Sequence, residues 1–217
     1  MIENKKCVVI LSGGLDSVTV TYLVKSQGYQ IYPLTFKYGQ IAVKETLAAQ
    51  KIAEYIETNT KIIDLTALRD IFQTSALVNR NIPITSEFTT PIIVPFRNAI
   101  FLSTAVAYAV TLGANKVFYG AHDSDVCFYP DCRREFYEAF EKAAKLGTDK
   151  NIAICAPYNG KKKVDIVKAA VALNVPLELT WSCYLDGEKH CGQCEACVER
   201  KKAFIEADIF DPTKYEN

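Results

Sequence analysis

An apolar run from Cys7 to Leu11 meets Ser12-Gly13-Gly14-Leu15-Asp16-Ser17, and helical spacing through Val20, Leu23 and Val24 follows directly. A strand entering a helix through a glycine loop is the opening unit of a parallel sheet, and it restricts the fold more than any other stretch. The run is short and unbroken, as suits a strand covered on both faces. The alternation then continues. Gln30 to Phe36 reads as a second strand, Val43 to Ile56 as a helix with Leu47, Ile52 and Ile56 on its apolar face, and Lys61 to Leu65 as a third strand. Ile100 to Leu112 predicts an apolar helix stopped by Gly113, just as Gly28 stops the first helix at Ser17 to Gln27. Lys116 to Tyr119 is a fourth strand, Arg133 to Leu146 a helix ended by Gly147, Ile152 to Ala156 a fifth strand, and Val164 to Leu173 a helix closed by Pro176. The expected fold is α/β, a three-layer sandwich with a mostly parallel sheet between helices. The stretch from Arg69 to Pro95, rich in Thr, Asn and Pro, is expected to be irregular, as a lid or partner surface. A compact appendage begins near Trp181, which divides the chain into residues 1–180 and 181–217.

A chain of 217 residues buries roughly 70% of its unfolded surface and needs no disulfides to fold. Lys+Arg 25 against Asp+Glu 25 leaves no net charge, which argues against broad binding to nucleic acid or anionic membrane. The longest uncharged stretch, Asn98 to Asn115, falls short of the ~20 apolar residues of a spanning helix. The apolar run near the N-terminus is too short for a signal peptide, so a cytoplasmic location is expected.

Where the strands of an open α/β sheet end, ligands bind. Each such end carries unusual residues. After the first strand, the two glycines permit close backbone approach, the Ser12 and Ser17 hydroxyls donate, and the helix start offers free N–H groups, together a cradle for pyrophosphate. The loop lacks the Gly-Lys-Ser/Thr ending of a Walker loop. After the fourth strand stand Gly120-Ala121-His122-Asp123-Ser124-Asp125 and Tyr129-Pro130-Asp131-Cys132-Arg133, an acidic, Pro-constrained cluster with one of only 2 histidines. Val94-Pro95-Phe96-Arg97-Asn98 opens the apolar helix, where Arg97 suits a phosphate or carboxylate and Asn98 suits an N-cap. Of 8 cysteines, Cys183, Cys191, Cys194 and Cys197 fall close together. Four thiolates satisfy tetrahedral Zn²⁺ and leave no open position, so one structural zinc per chain is expected, with His190 as a possible substitute ligand.

Ser12 to Ser17 resembles the PP-loop of ATP pyrophosphatases. Joined with Tyr38-Gly39-Gln40, Pro95-Phe96-Arg97-Asn98, Gly120-Ala121-His122, Tyr129 to Arg133, Thr180-Trp181-Ser182-Cys183-Tyr184 and the remaining cysteines, the chain resembles the 7-cyano-7-deazaguanine synthase family from Ser12 to Cys197. The resemblance implies an ATP-dependent carbon–nitrogen ligase that turns 7-carboxy-7-deazaguanine and ammonia into the 7-nitrile, a queuosine precursor. It implies a PP-loop fold, of adenine nucleotide alpha hydrolase type, with a C-terminal zinc module. It assigns Ser12, Gly13, Gly14, Leu15, Asp16 and Ser17 to ATP phosphates with Mg²⁺, and Phe36, Tyr38, Gly39 and Gln40 to the adenosine side. Asp16 and Lys163, in a Lys-x-x-Ile-Val segment, stand at the phosphates, and Arg97, Asp123, Asp131 and Arg133 on the substrate side. The family is usually dimeric, so a homodimer is expected.

Two positions depart from the family pattern: Ile41-Ala42 stands where Arg-His is usual, and Phe96 where Gly is usual. Phe96 suggests an aromatic face stacked on the deazaguanine ring, and Ile41-Ala42 a lost polar contact to ligand. They keep open a paralogue that stops at the amide or couples the carboxylate to another amine, a protein amine included. A PP-loop thiolase needs a metal-free cysteine pair, and a non-catalytic zinc ribbon leaves the nucleotide loop without a purpose.

Overall fold

A computed structural model describes residues 5–88 and 90–216. Five strands form one sheet: β1 (Lys6–Ile10), β2 (Gln30–Lys37), β3 (Lys61–Asp64), β4 (Lys116–Phe118) and β5 (Ala153–Cys155). Their order is β3-β2-β1-β4-β5 and every pairing is parallel, with Val8 opposite Tyr32 on one side and Val117 on the other. The chain runs outward from β1 to β3, then returns to lay β4 on the free edge of β1. That reversal opens a crevice at the carboxyl ends of β1 and β4.

Side chains of β1 alternate between two cores, as the pleat requires. Cys7, Val9 and Leu11 face a layer built from α1 (Leu15–Ser26), α2 (Lys44–Tyr55), α6 (Lys163–Ala172) and α7 (Glu195–Ala207). Val8 faces the opposite layer, where α3 (Arg97–Leu112) and α5 (Arg134–Thr148) pack. On α3 the buried stripe is Ala99, Leu102, Ala105, Val106 and Ala109, a three-and-four spacing whose small residues let the helix lie close to the sheet.

Several boundaries differ from the periodicity for local reasons. α1 begins at Leu15, inside the glycine loop, and α3 begins at Arg97, three residues before its apolar run. Leu47 is exposed, because α2 buries the small face of Thr46, Ala48, Ala49, Ile52 and Ala53. Gly147 does not stop α5, which continues to Thr148 and ends on left-handed Asp149. A short helix, α4 (Asp123–Phe128), and α7 carry no apolar run strong enough to announce them. The irregular stretch between Arg69 and Pro95 is anchored as well: Phe72, Ala76, Val78, Ile92 and Val94 are buried against the α3 side of the sheet. Among the described residues, no helix is long and apolar enough to cross a membrane.

Candidate active site and cysteine centre

The crevice holds a cleft of two lobes that share Ser12, Ser17, Arg97, Asn98, Tyr129 and Tyr184. One lobe, about 180 Å³, extends over Phe36, Tyr38, Gln40, Glu45 and Phe101. The other, also about 180 Å³, reaches Gly14, Asp16 and Cys132. The first has an aromatic floor, where Phe36 stacks on Phe101 with ring centroids 4.0 Å apart and planes 2° from parallel.

The loop after β1 is tied by its own hydroxyls. Ser17 Oγ donates to the Gly14 carbonyl at 3.1 Å and lies 3.0 Å from Ser12 Oγ, and the Ser12 N–H donates to it at 3.2 Å. Gly13 has φ +89°, and a Cβ there would sit 2.3 Å from the Glu45 carbonyl oxygen. Its missing side chain therefore makes room for α2. Gly120 serves the same loop from β4: a Cβ would meet the Ser17 nitrogen at 3.1 Å.

Asp16 and Lys163 meet across 147 positions of sequence, Nζ to Oδ2 at 2.6 Å, and His122 Nε2 stands 3.2 Å from the same ammonium. Burial works against the Asp16 carboxylate, but Lys163 and then His122 outweigh it and hold its pKa below the ordinary carboxylate value. Asp16 Oδ1 is buried with no hydrogen-bond partner. A carboxylate oxygen without a donor, on a residue that lines the cleft, suits a cation, so Asp16 fits Mg²⁺.

Arg97 projects into the cleft from the first turn of α3, its Nη1 donating to Tyr38 Oη at 3.0 Å. Burial alone would lower its pKa; Tyr38, Glu45 and Asp131 outweigh that and keep the guanidinium charged. Glu45, which the motif reading missed, lines the same lobe, and burial pushes its carboxyl up to about 7 against the pull of Arg97.

Other candidates stand elsewhere. Asp131 supports α3: its Oδ2 accepts the Asn98 backbone N–H at 2.9 Å, and its Oδ1 accepts from Asn98 Nδ2 at 3.3 Å. The helix is thus capped by a residue 33 positions away, while Asn98 itself is not the N-cap. Arg133 and Asp123 are exposed and outside the cleft lining; Arg133 Nε donates to the Val126 carbonyl. The side chains of Ser124 and Asp125 lie outside the described residues. Leu15 is core, and Gly39 packs on Arg69 away from the cleft. Gln40 folds back, its Nε2 donating to the Phe36 carbonyl and its Oε1 accepting from the Tyr38 N–H, which shapes the turn after β2.

Both departures from the family pattern also fall outside the cleft. Ile41 and Ala42 are buried, and the Ile41 N–H donates to the Leu77 carbonyl. Phe96 is 65% exposed and precedes α3 with φ 56°, ψ 25°, a left-handed conformation that glycine adopts without cost. Among the described residues its one ring contact is Phe136, edge-on at 6.0 Å, so the stacking role expected for it is not supported by its position. Phe96→Gly is expected to change turnover less than twofold. Relief of ~1–2 kcal/mol of left-handed strain offsets a lost edge contact of ~0.5–1.5 kcal/mol, so stability should move by less than about 1 kcal/mol; steady-state kinetics and a urea melt check both.

The four cysteines converge. Their sulfurs all lie within 4.8 Å of one another, with Cys191 to Cys197 and Cys183 to Cys194 each at 4.0 Å. A tetrahedral ion bonded at ~2.3 Å sets its sulfurs roughly 3.8 Å apart, so the centre can hold a metal. Backbone N–H groups of Leu185 and Cys191 reach Cys183 Sγ, and those of Gln193 and Cys194 reach Cys191 Sγ, which favours thiolates. His190 is committed elsewhere, accepting the Ser182 N–H on Nε2 at 3.0 Å. Cys194→Ser is expected to abolish the centre's capacity to hold a metal and to lower the melting temperature, because binding at a closed four-thiolate centre is coupled to folding. Elemental analysis and calorimetry test it; full metal content with an unchanged melt would refute the centre.

The cysteine centre is joined to the loop. The Trp181 N–H donates to the Gly13 carbonyl at 2.9 Å, and Trp181 Nε1 donates to the Cys183 carbonyl. Arg200, wholly buried on α7, donates to Thr180 Oγ1 at 2.7 Å and Ser182 Oγ at 3.1 Å, on either side of Trp181.

Known proteins similar to this chain match it over nearly its whole length. A 7-cyano-7-deazaguanine synthase of Caldicellulosiruptor saccharolyticus is 44% identical over 216 residues, covering 97% of this chain and 96% of its own. Those of Thermoplasma volcanium and Psychromonas ingrahamii are 44% and 40% identical, covering 97% and 99% of this chain and 91% and 99% of their own. Among solved structures, an NMN synthetase from Francisella tularensis is similar with TM-score 0.54 and 15% identity, over 96% of this chain and 79% of that one. The NH₃-dependent NAD synthetase of Campylobacter jejuni follows at 0.51 and 20%, over 82% and 67%. At such identities these two likenesses speak for the fold alone. The model of the family described as queuosine biosynthesis protein QueC matches residues 6–208, and with relatives this similar over nearly the whole length, the chain belongs to that family.

Proposed function

We propose that this protein converts 7-carboxy-7-deazaguanine, ammonia and ATP into 7-cyano-7-deazaguanine. The observation that carries the reading is the meeting of the Ser12–Ser17 loop, the Asp16–Lys163 pair and Arg97 around one aromatic-floored cleft, in a chain 44% identical to a synthase of that name. A carboxylate is a poor electrophile. Adenylation makes one of its oxygens a leaving group, ammonia displaces AMP to give the amide, and a second activation of the amide oxygen lets the amide lose that oxygen and become the nitrile.

Little covalent work falls to the protein, so positioning and charge neutralisation dominate. Ser12, Ser17 and the α1 N-terminus receive the phosphates, and Lys163 supplies positive charge beside them. Mg²⁺, held by Asp16 and the phosphates, would neutralise charge on the departing pyrophosphate. Arg97 is placed for the substrate carboxylate, and Asp131 is a positioning residue that holds Asn98 and the α3 start in the cleft wall. The cysteine centre is read as structural zinc, because four sulfurs leave no open coordination position.

The test is mass spectrometry of the purified protein with ATP, Mg²⁺, ammonium and the carboxylate. The nitrile is the expected product. If ATP is consumed no faster with the carboxylate than without it, the proposal is wrong.

A further inference from the structure

The lobe over Phe36 and Tyr38 holds one charged group that the chemistry above leaves unused. Glu45 stands in the first turn of α2, half-buried, in the same lining as Tyr38, Arg97 and Tyr184. No described residue gives its carboxylate a hydrogen bond or an ion pair within 4 Å; Arg97 Nη1 goes to Tyr38 instead. Its backbone is held firmly. Thr46, Ala48 and Ala49 bury the far side of the turn, and Gly13 lets the Glu45 carbonyl press against the nucleotide loop.

A carboxylate drawn partly out of water without donors is costly unless a ligand brings them. Its two oxygens match a ligand that presents two parallel N–H bonds. The pyrimidine ring of deazaguanine presents such a pair, the ring N1–H beside the 2-amino group. The reacting carboxylate is on the other ring, so the group that reads the base and the loop that activates the acid occupy separate places. The aromatic floor of the same lobe, which the family resemblance assigned to adenosine through Phe36, offers the deazaguanine ring its flat contact instead.

We propose that Glu45 is the specificity residue of the cleft, its two carboxylate oxygens accepting the N1–H and the 2-amino N–H of the deazaguanine ring. This rests on the substrate reading above. Glutamine in its place keeps the shape but offers one acceptor and one donor, so the pairing fails at one of the two bonds.

The experiment compares kcat/KM for 7-carboxy-7-deazaguanine and for its analogue without the 2-amino group, with the wild-type protein and with Glu45→Gln, measuring the KM for ATP in parallel. Wild type is expected to prefer the amino-bearing ring by about ten- to hundredfold, since the analogue leaves an oxygen of Glu45 unpaired. Glu45→Gln is expected to lose that preference to within about threefold, while its KM for ATP stays within about threefold of wild type. A purely structural role would slow both rings equally and leave the ratio alone, which overturns the proposal. A raised KM for ATP with the ring preference intact also overturns it and turns Glu45 toward the ribose hydroxyls. Wild type alone gives an independent check if the variant is unstable: equal use of both rings refutes the assignment. Absence of carboxylate-dependent ATP consumption in wild type is a different failure, that of the substrate reading itself.

Discussion

Arg200→Ala is expected to destabilise the protein by about 3–5 kcal/mol, because removing one partner of a buried ion pair strands the other. Arg200 is 0% exposed, and its Nε and Nη2 lie 3.2–3.3 Å from the Asp211 carboxylate. In the variant, Asp211 keeps, among the described residues, the Tyr215 hydroxyl at 2.6 Å and the Thr213 N–H at 3.1 Å. For a chain of this size the loss corresponds to roughly 6–20 °C in melting temperature. Replacing the pair together, Arg200→Met with Asp211→Leu, should recover much of it, since no buried charge then remains unpaired.

The pH dependence has a definite sign. Burial opposes the Asp211 carboxylate, but Arg200 outweighs it and holds the pKa below its ordinary value. The folded state thus binds its proton less readily than the unfolded chain. The stabilisation is present in full above the unfolded carboxylate value of ~4 and is lost as pH falls through the lower folded one. Urea melts at pH 7 and pH 3 should therefore show the gap between wild type and Arg200→Ala shrinking in acid. A gap equally wide at both would contradict the pairing. Affinity for ATP should fall as well, because the segment that Arg200 grips carries the Trp181 N–H bonded to the Gly13 carbonyl.

Asp16→Asn is expected to cut turnover by about 10²–10³-fold, the range for removing one preorganised electrostatic group from a reaction site. Asparagine keeps the shape of the side chain and can still accept from Lys163, but it removes the negative charge that the ammonium and any bound cation require. Stability should fall far less than turnover, by about 1–3 kcal/mol for one weakened charged hydrogen bond. Single-turnover kinetics with ATP and the carboxylate, beside a melting curve, separates the two effects. Turnover within tenfold of wild type would remove Asp16 from the reaction. A melt that collapses in step with activity would make the residue structural.

Much of this protein is local in origin. The alternation of five short apolar runs with helical spacings determined the parallel sheet, because a strand covered on both faces must be apolar throughout and its crossover helix must carry one apolar stripe. The glycine loop at Ser12–Ser17 and the Cys183, Cys191, Cys194 and Cys197 spacing were equally legible, since each site is made from neighbours in the chain. What lies between distant segments was not. Lys163 reached Asp16, Asp131 capped α3, and Arg200 clasped Asp211 and Thr180 only once the sheet order had brought them together. Phe96 and Gly13 show the same limit at single positions: both belong to recognisable motifs, yet the space beside each is set by other elements. Glu45 had no motif to mark it, since an acid in the first turn of a helix is ordinary there. Only the packing of α2 against the loop turned it into a wall of the cleft. Sequence determined which chemistries were present, because those depend on residue type and near spacing; tertiary structure decided which of them face one another, because contact across the sheet depends on strand order, which no local pattern encodes.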